Sequence, residues 1–344
     1  MTYYTALDVS LRSVSICIID DTGAIQFEDK VVSEVDEIAS CLKRFSPKVK
    51  SIGFEAGTLT QYLSYGLQAE GFEVICMEAR QVSAALSAMR NKTDKNDARG
   101  IAQILRSGWY SRVHVKSLDS HLTRALLTSR KTVLKKCVDI ENEIRGLIRL
   151  VGIKLPGTVK HGPFDELVRP MIQPHSTLAD ALIPLLDARQ ALYQSYLKLD
   201  SQVLSMARKD TVCQRLMTVP GVGAITALTF KAGVDDPTRF KHSRTVAAHF
   251  GLTPRRFQSG ELDNPGHISR AGDADVRSAL YVAAHSLVCR SEHWTYLKAW
   301  GLRLSKTKGH RRAVIAVARK LAVILHRMWI DEVDFRYSSN EVKP

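Results

Sequence analysis

The chain has 344 residues, 45% of them hydrophobic, with 49 Lys and Arg against 35 Asp and Glu, a formal charge of +14. That apolar share excludes a disordered tail, and the length allows two or three domains around a sizeable core. Cations in such excess, gathered in particular segments, point to a phosphate-bearing partner, nucleic acid above all, rather than to a merely soluble basic protein.

Residues 2–9 alternate and are rich in β-formers. A polar break at Ser10–Ser13 leads into a second strand, VSICIID. The tetrad DDTG, Asp20–Gly23, signals a tight turn before a third strand, AIQFEDKVV. A helix is predicted over Val35–Phe45, then the strand SIGFEA, a helix from Thr60 to Glu70 stopped by Gly71, and the strand FEVICME. Another helix covers roughly Gln81–Met89, and MRNKTDKNDARGIAQILRSG, residues 89–108, opens the next. Three strands in a meander followed by alternating α and β is the order of an α/β RNase H-like domain. A doubly wound sheet begins β-α-β instead.

From about Leu118 to Ile153 the pattern is helical and basic, with apolar residues three and four apart. KLPGTVKHGPF, Lys154–Phe164, breaks it, and a second long helical stretch runs from about Leu178 to Lys209. Two long helices around a break predict a hairpin or coiled-coil arm whose role is scaffold or oligomerisation. From LMTVPGVGAITALTF onward the chain turns to Gly-rich turns and short elements. The expected division is therefore 1–112, 113–210 and 211–344, the last part mainly α.

Six cysteines, Cys17, Cys41, Cys76, Cys137, Cys213 and Cys289, lie far apart without C-x-x-C spacing. They read as buried small hydrophobes in a reducing compartment, and neither a zinc site nor a disulfide framework is expected. The start MTYYTALDVS lacks the layout of a signal peptide, and no apolar run approaches a membrane span, so a cytoplasmic protein is expected.

Four carboxylates carry the candidate chemistry. Asp8 sits among apolar neighbours in TALDVS, where burial is costly unless it is paired or bound to metal. Glu55 ends SIGFEA, and in an RNase H-like sheet its strand neighbours that of Asp8. Asp94 and Asp97, three apart on one helix face, arrive across that edge. Oxygen ligands from separated segments suit a hard cation, Mg²⁺ or Mn²⁺, able to assist phosphodiester chemistry. The competing readings are Asp94 as a helix cap and Asp97 as a surface partner of Arg99 or Lys92, but the four carboxylates together in this element order favour the metal. LDVSLRSVSICIID with DDTG also resembles the phosphate hairpin of actin-like sugar kinases, but that class needs a second copy of the fold, which the sequence lacks.

In the last third, VPGVGAITAL has the look of a helix-hairpin-helix turn, where Gly221 and Gly223 let backbone N–H groups approach a phosphate. An ordinary helix connection is the alternative. Arg255 and Arg256 stand beside Ser259 in RRFQSG, read as a Gly-flanked loop, where arginines clamp a phosphodiester and the serine is a candidate nucleophile.

Over nearly its whole length the chain resembles the IS110/IS1111 class of insertion-sequence transposases, related to the Piv DNA invertase. The resemblance is carried by ALDVS, GFEAG, NKTDKNDARGIAQILRSG, VPGVGAITA, GLTPRRFQSGELDNPGHISRAGDADVRSAL and the basic KGHRRAVIAVARKL, with Lys308, Arg311 and Arg312 as further nucleic-acid contacts. It implies a RuvC-like domain with a metal-binding DEDD tetrad at Asp8, Glu55, Asp94 and Asp97, a coiled-coil region, and a C-terminal domain with a catalytic serine at Ser259. Many relatives have SSGGK where this chain has QSGEL, so the surroundings of the serine differ. The resemblance further implies a site-specific recombinase using a serine–phosphate intermediate, acting on element ends and target DNA with a structured guide RNA. It also implies a homodimer or homotetramer working at the bacterial nucleoid. The rival expectations are a RuvC-like junction nuclease using water and a non-catalytic basic module.

Overall fold

The computed structural model describes residues 2–45, 48–88, 91–259 and 262–337, and for 256–259 and 262–265 the backbone alone. The predicted helix end at Met89 and the glycine Gly260 lie outside the described residues. The chain divides into two compact units, Met1–Lys116 and Ser117–Pro344.

In the first unit the strands are β1 (Tyr3–Val9), β2 (Ser13–Ile19), β3 (Ile25–Val32), β4 (Val49–Glu55) and β5 (Val74–Met77), in the sheet order β3-β2-β1-β4-β5. The meander pairs antiparallel, whereas β1, β4 and β5 run parallel. The predicted turn closes at Gly23, whose positive φ of 89° places its N–H on the Asp20 carbonyl. The helices are α1 (Val35–Lys43), α2 (Thr60–Ala69), α3 (Ala79–Leu86) and α4 (Asp94–Ser107).

Both faces of the sheet are covered, which explains consecutive buried residues in β1 where simple alternation exposes every second one. Leu7, Ile16, Ile18 and Phe54 pack with Ile38, Leu42 and Leu63 of α1 and α2. Ala6, Cys17, Ile19 and Met77 pack on the other face with Ala98, Ile101, Ala102 and Leu105 of α4. Gly53 makes that second contact close, since a Cβ there would lie 2.6 Å from Met77 Cε and 3.0 Å from the methyls of Leu105.

The second unit begins with α5 (Leu118–Leu147) and a 3-10 turn at Ile148–Val151, followed by α6 (Phe164–Ile172) and α7 (Ser176–Lys209). The two long helices lie against each other. α6 follows the Gly/Pro break and was not expected from the sequence. Around it, buried Arg189 of α7 donates through Nε and Nη2 to Glu141 of α5 at 3.0 and 2.7 Å and pairs with Asp165 of α6 at 3.3 Å. The guanidinium also lies over Phe164 and Tyr193.

The remainder is mainly helical: α8 (Thr211–Leu216), α9 (Ala224–Val234), α10 (Ser243–His249), α11 (Ala274–Cys289), α12 (Tyr296–Lys308) and α13 (His310–Ile330). Val317, Leu321 and Leu325 of α13 share one core with Phe230 of α9, Phe250, and Leu280 and Leu287 of α11. A hairpin of β6 (Pro254–Ser259) and β7 (Leu262–Ile268) interrupts the helices, so the segment read as a loop around Arg255, Arg256 and Ser259 is strand. Five cysteines are buried as expected, but Cys289 is exposed. Among the described residues no helix is long and apolar enough to cross a membrane.

Candidate active site

β1 and β4 run parallel with Leu7 opposite Phe54, so Asp8 and Glu55, the next residue on each, leave the sheet side by side at the same end. Side-chain direction repeats every two residues along a strand. Ala6 packs under α4 and Gly53 meets Leu105, so Asp8 and Glu55, two positions on, aim at the α4 face as well. On α4 the stripe that meets the sheet is Ala98, Ile101 and Leu105. Asp94 and Asp97, each four residues back from Ala98 and Ile101 respectively, continue that stripe into the first turn.

Asp94 does not cap α4. The cap is Thr93, whose hydroxyl accepts from Asn96 N–H at 3.2 Å, while the Asp97 N–H closes the turn on the Thr93 carbonyl at 2.8 Å. Both aspartates are thus free of the capping role, although a first-turn carboxylate still gains from the helix dipole. Asp94 is exposed and pairs with Lys30 of β3 at 2.9 Å, which holds its carboxyl below the usual range. Arg99 is engaged elsewhere, donating to Glu28 at 2.5 and 3.0 Å; chiefly through that pair, Glu28 falls to about 2.

Asp8 moves the other way, up to about 6. Burial is the first cause, followed by the negative charges of Asp97, Asp94 and Glu55, with Lys92 opposing. Glu55 is also raised, by burial first and by Asp97 and Glu78, again opposed by Lys92. Asp8 therefore lies within electrostatic reach of the other three carboxylates and Glu55 within reach of Asp97, and crowding adds to burial in suppressing the charge on the half-buried pair. Among the described residues no three of them bring their oxygens within 4.8 Å of one another. Sequence reading missed Glu78 and Lys30 as neighbours: Glu78 sits at the α3 cap, and Lys30 reaches Asp94 only because β3 lies near the start of α4.

The other candidate residues belong to the second unit. Ser259 ends β6 opposite Leu262, and Arg256 pairs with Pro265 in the same hairpin. Their side chains lie outside what is described. Arg255 is exposed and donates to the Ser269 carbonyl at 3.3 Å. The segment read as a helix-hairpin-helix turn forms α8, a turn and α9. Gly221 there has φ +87°, and a Cβ on it would lie 2.6 Å from the Ala283 carbonyl oxygen and 2.8 Å from Leu287 N; a Cβ on Gly223 would meet nothing. The turn opens on a cavity of about 790 Å³ lined also by Arg124, Arg130 and Lys131. Those cations are paired with Asp273, Asp200 and Asp275. Lys308 ends α12, while Arg311 and Arg312 open α13, all exposed.

Comparison with known proteins gives two family matches. A DEDD-type IS110 transposase family matches residues 5–153, and the Transposase IS116/IS110/IS902 family matches residues 213–299. The first match contains Asp8, Glu55, Asp94 and Asp97; the second contains the glycine turn, Arg255, Arg256 and Ser259. The transposase for insertion sequence element IS1111A of Coxiella burnetii is 27% identical, over 96% of this chain and 90% of its own. A probable family 20 transposase of Pseudomonas aeruginosa is 27% identical over 72% of this chain and 74% of its own. The pilin gene-inverting protein of Moraxella bovis is 30% identical over 32% of this chain and 34% of its own.

Proposed function

The chain belongs to the IS110 class of insertion-sequence transposases, enzymes that cut and rejoin DNA, and we propose that it does so through a serine–phosphate intermediate supported by a carboxylate metal site. The observation that carries the metal site is the placement of Asp8 and Glu55 side by side at one end of β1 and β4, on the face met by the α4 start that bears Asp94 and Asp97, a crowding that goes with the raised value of Asp8. An all-oxygen, negatively crowded donor set from a strand pair and a helix start fits a hard divalent cation, Mg²⁺ or Mn²⁺, held by these four residues. When bound, such an ion lowers the proton affinity of an attacking oxygen and stabilises charge on a leaving oxygen. The fold supports a RuvC-like assignment for residues 1–112, through the sheet order and the placement of the carboxylates at one end of β1 and β4. Residues 113–210 are read as the coiled-coil part and 211–344 as the transposase part.

In this reading the Ser259 Oγ bonds to a backbone phosphorus and gives up its proton, while the phosphorus–O3′ bond breaks and the 3′-oxygen takes up a proton. The bond energy stays in the phosphoserine link, so the strand is later rejoined without a nucleotide cofactor. A serine hydroxyl is weak at neutral pH and needs activation. In this reading the tetrad of another copy in a homodimer or homotetramer provides it. Arg255 and Arg256 hold the phosphodiester and offset charge in the transition state. Lys308, Arg311, Arg312 and the turn at Gly221 and Gly223 add backbone contacts to DNA or to a structured guide RNA, consistent with the net charge of +14. Action at the nucleoid of the bacterial cytoplasm goes with this reading.

The test incubates labelled element-end DNA with Mg²⁺ and the wild type, Ser259→Ala or Asp97→Asn, then denatures the protein. Wild type should carry covalent label and both variants none. Asp97→Asn should cut at least about 100-fold more slowly, the loss of a few kcal/mol of metal-assisted stabilisation. Label on Ser259→Ala would move the nucleophile elsewhere, with Ser269 the next candidate. Nicked product without any adduct would favour a junction nuclease using water.

A further inference from the structure

Cys289 stands apart from the five buried cysteines. It is the exposed last residue of α11, one helical turn after His285 and so on the same face. His310, the first residue of α13, stands opposite. The Cys289 Sγ and His310 Nε2 are 3.8 Å apart, and the His285 and His310 rings meet edge to face at 5.4 Å. One ligand atom from each lies within 4.8 Å of the others, and no other His, Cys, Asp or Glu trio among the described residues is gathered so closely.

We propose that His285, Cys289 and His310 form a zinc site. Two imidazoles and a thiolate are a borderline-soft donor set that favours Zn²⁺ over the hard cations suited to the Asp8 tetrad. Bond lengths near 2.1 Å to nitrogen and 2.3 Å to sulfur in a tetrahedron separate donors by about 3.3–3.6 Å. The observed 3.8 Å between Sγ and Nε2 is close to that, so small side-chain rotations complete the set. Three protein ligands leave the fourth position to water. The thiolate reduces the charge of the bound ion, which limits repulsion from Arg290 and Arg311 next in sequence to two of the ligands.

The site ties two parts that matter for nucleic acid. α11 carries Ala283 and Leu287, against which the Gly221 turn is packed. His310 sits between Gly309 and Arg311 at the basic α12–α13 junction. Metal bound here fixes the spacing between the glycine turn and Lys308, Arg311 and Arg312. The cysteine spacing gave no hint of it, because the ligands come from i and i+4 on one helix and from a second helix 21 residues on.

The experiment strips the full-length protein with a chelator and titrates it with Co²⁺. One Co²⁺ per chain with a thiolate-to-metal charge-transfer band and intense tetrahedral d–d bands is expected, displaced by Zn²⁺ and indifferent to excess Mg²⁺. Cys289→Ser should lose the charge-transfer band. His285→Gln and His310→Gln should weaken Co²⁺ binding by at least about tenfold, the lower end of the cost of losing even an outer-sphere partner. Circular dichroism checks the fold of each variant, and His310→Gln, at an exposed position, is the control should Cys289→Ser misfold. Absence of the band in the wild type, its persistence in Cys289→Ser, unchanged affinity in His310→Gln, or Co²⁺ bound only where Mg²⁺ competes would each overturn the proposal.

Discussion

Asp8 shows how one side chain encodes both a cost and a use. Its ordinary value is 3.8 and its folded value about 6, raised first by burial and then by Asp97, Asp94 and Glu55. Between those two values the folded chain keeps a proton that the unfolded chain has lost, so the stability of metal-free protein falls as pH rises from about 4 to about 6 and stays lower above that. Asp8→Asn should therefore stabilise metal-free protein at pH 7 by on the order of 1 kcal/mol, well under the full shift because the group is only half-buried, with no gain at pH 4. Denaturant midpoints at the two pH values measure this, and an equal gain at both would show that charge is not the cause. The turn glycines separate in the same way. Ala at Gly221 combines a positive φ with contacts of 2.6 and 2.8 Å to the α11 backbone, and should cost roughly 2–4 kcal/mol. Ala at Gly223 meets nothing and should leave the melting temperature within about 2 °C while weakening DNA binding if its N–H approaches a phosphate. Thermal melts paired with gel shifts read both.

At the scale of elements, the pairing of α5, α6 and α7 depends on a buried ion cluster rather than on apolar contact alone. Arg189 pairs with Glu141 and with one oxygen of Asp165 at once, and Ile144, Phe164, Val168, Leu182 and Leu186 pack around the junction. Arg189→Ala removes the ion partner of Asp165 and leaves Glu141 to His161 and the Cys137 thiol, and should cost about 3–5 kcal/mol. Replacing Arg189, Glu141 and Asp165 together by apolar residues of similar size should recover most of that loss, because the desolvation cost goes with the charges. Chemical denaturation of single and triple variants decides it; a loss under about 1 kcal/mol for the single variant would mean the carboxylates are hydrated. The hairpin β6–β7 is the other element that departs from expectation. Arg255–Ser259 looked like loop because of flanking Gly and Pro residues, yet RRFQS pairs with the facing strand, a partner that lies outside any short window.

At the scale of the molecule, the excess of positive charge becomes a statement about salt. Counterion release predicts that each phosphate contact on duplex DNA adds about 0.9 to the slope of log affinity against log salt. Changing Lys308, Arg311 and Arg312 together to Ala should thus make the slope shallower by roughly 2–3. Arg255 and Arg256 to Ala should subtract up to about 1.8 more. Fluorescence anisotropy over a salt series measures it, and an unchanged slope would mean these cations face away from nucleic acid. Within the first unit the charge has a different use: Lys30 neutralises Asp94 and Lys92 opposes the carboxylate crowding at Asp8 and Glu55, so the unit carries its carboxylates among its own cations.

The sequence by itself determined the order of strands and helices in the first unit and the four carboxylates Asp8, Glu55, Asp94 and Asp97 as candidates. Periods of two and of three to four residues are local, and an aspartate inside an apolar strand is anomalous wherever the strand goes. It also determined the two long helices and the glycine turn. Only the tertiary structure decided that Thr93 rather than Asp94 caps α4, that Asp94 meets Lys30, that α6 and Arg189 close the helical arm, and that Arg255–Ser259 is strand. It alone turned Cys289 outward toward His285 and His310. Each of these is a pairing or an orientation fixed by which surfaces are buried together, and the free energy that selects it comes from contacts between residues far apart in the chain.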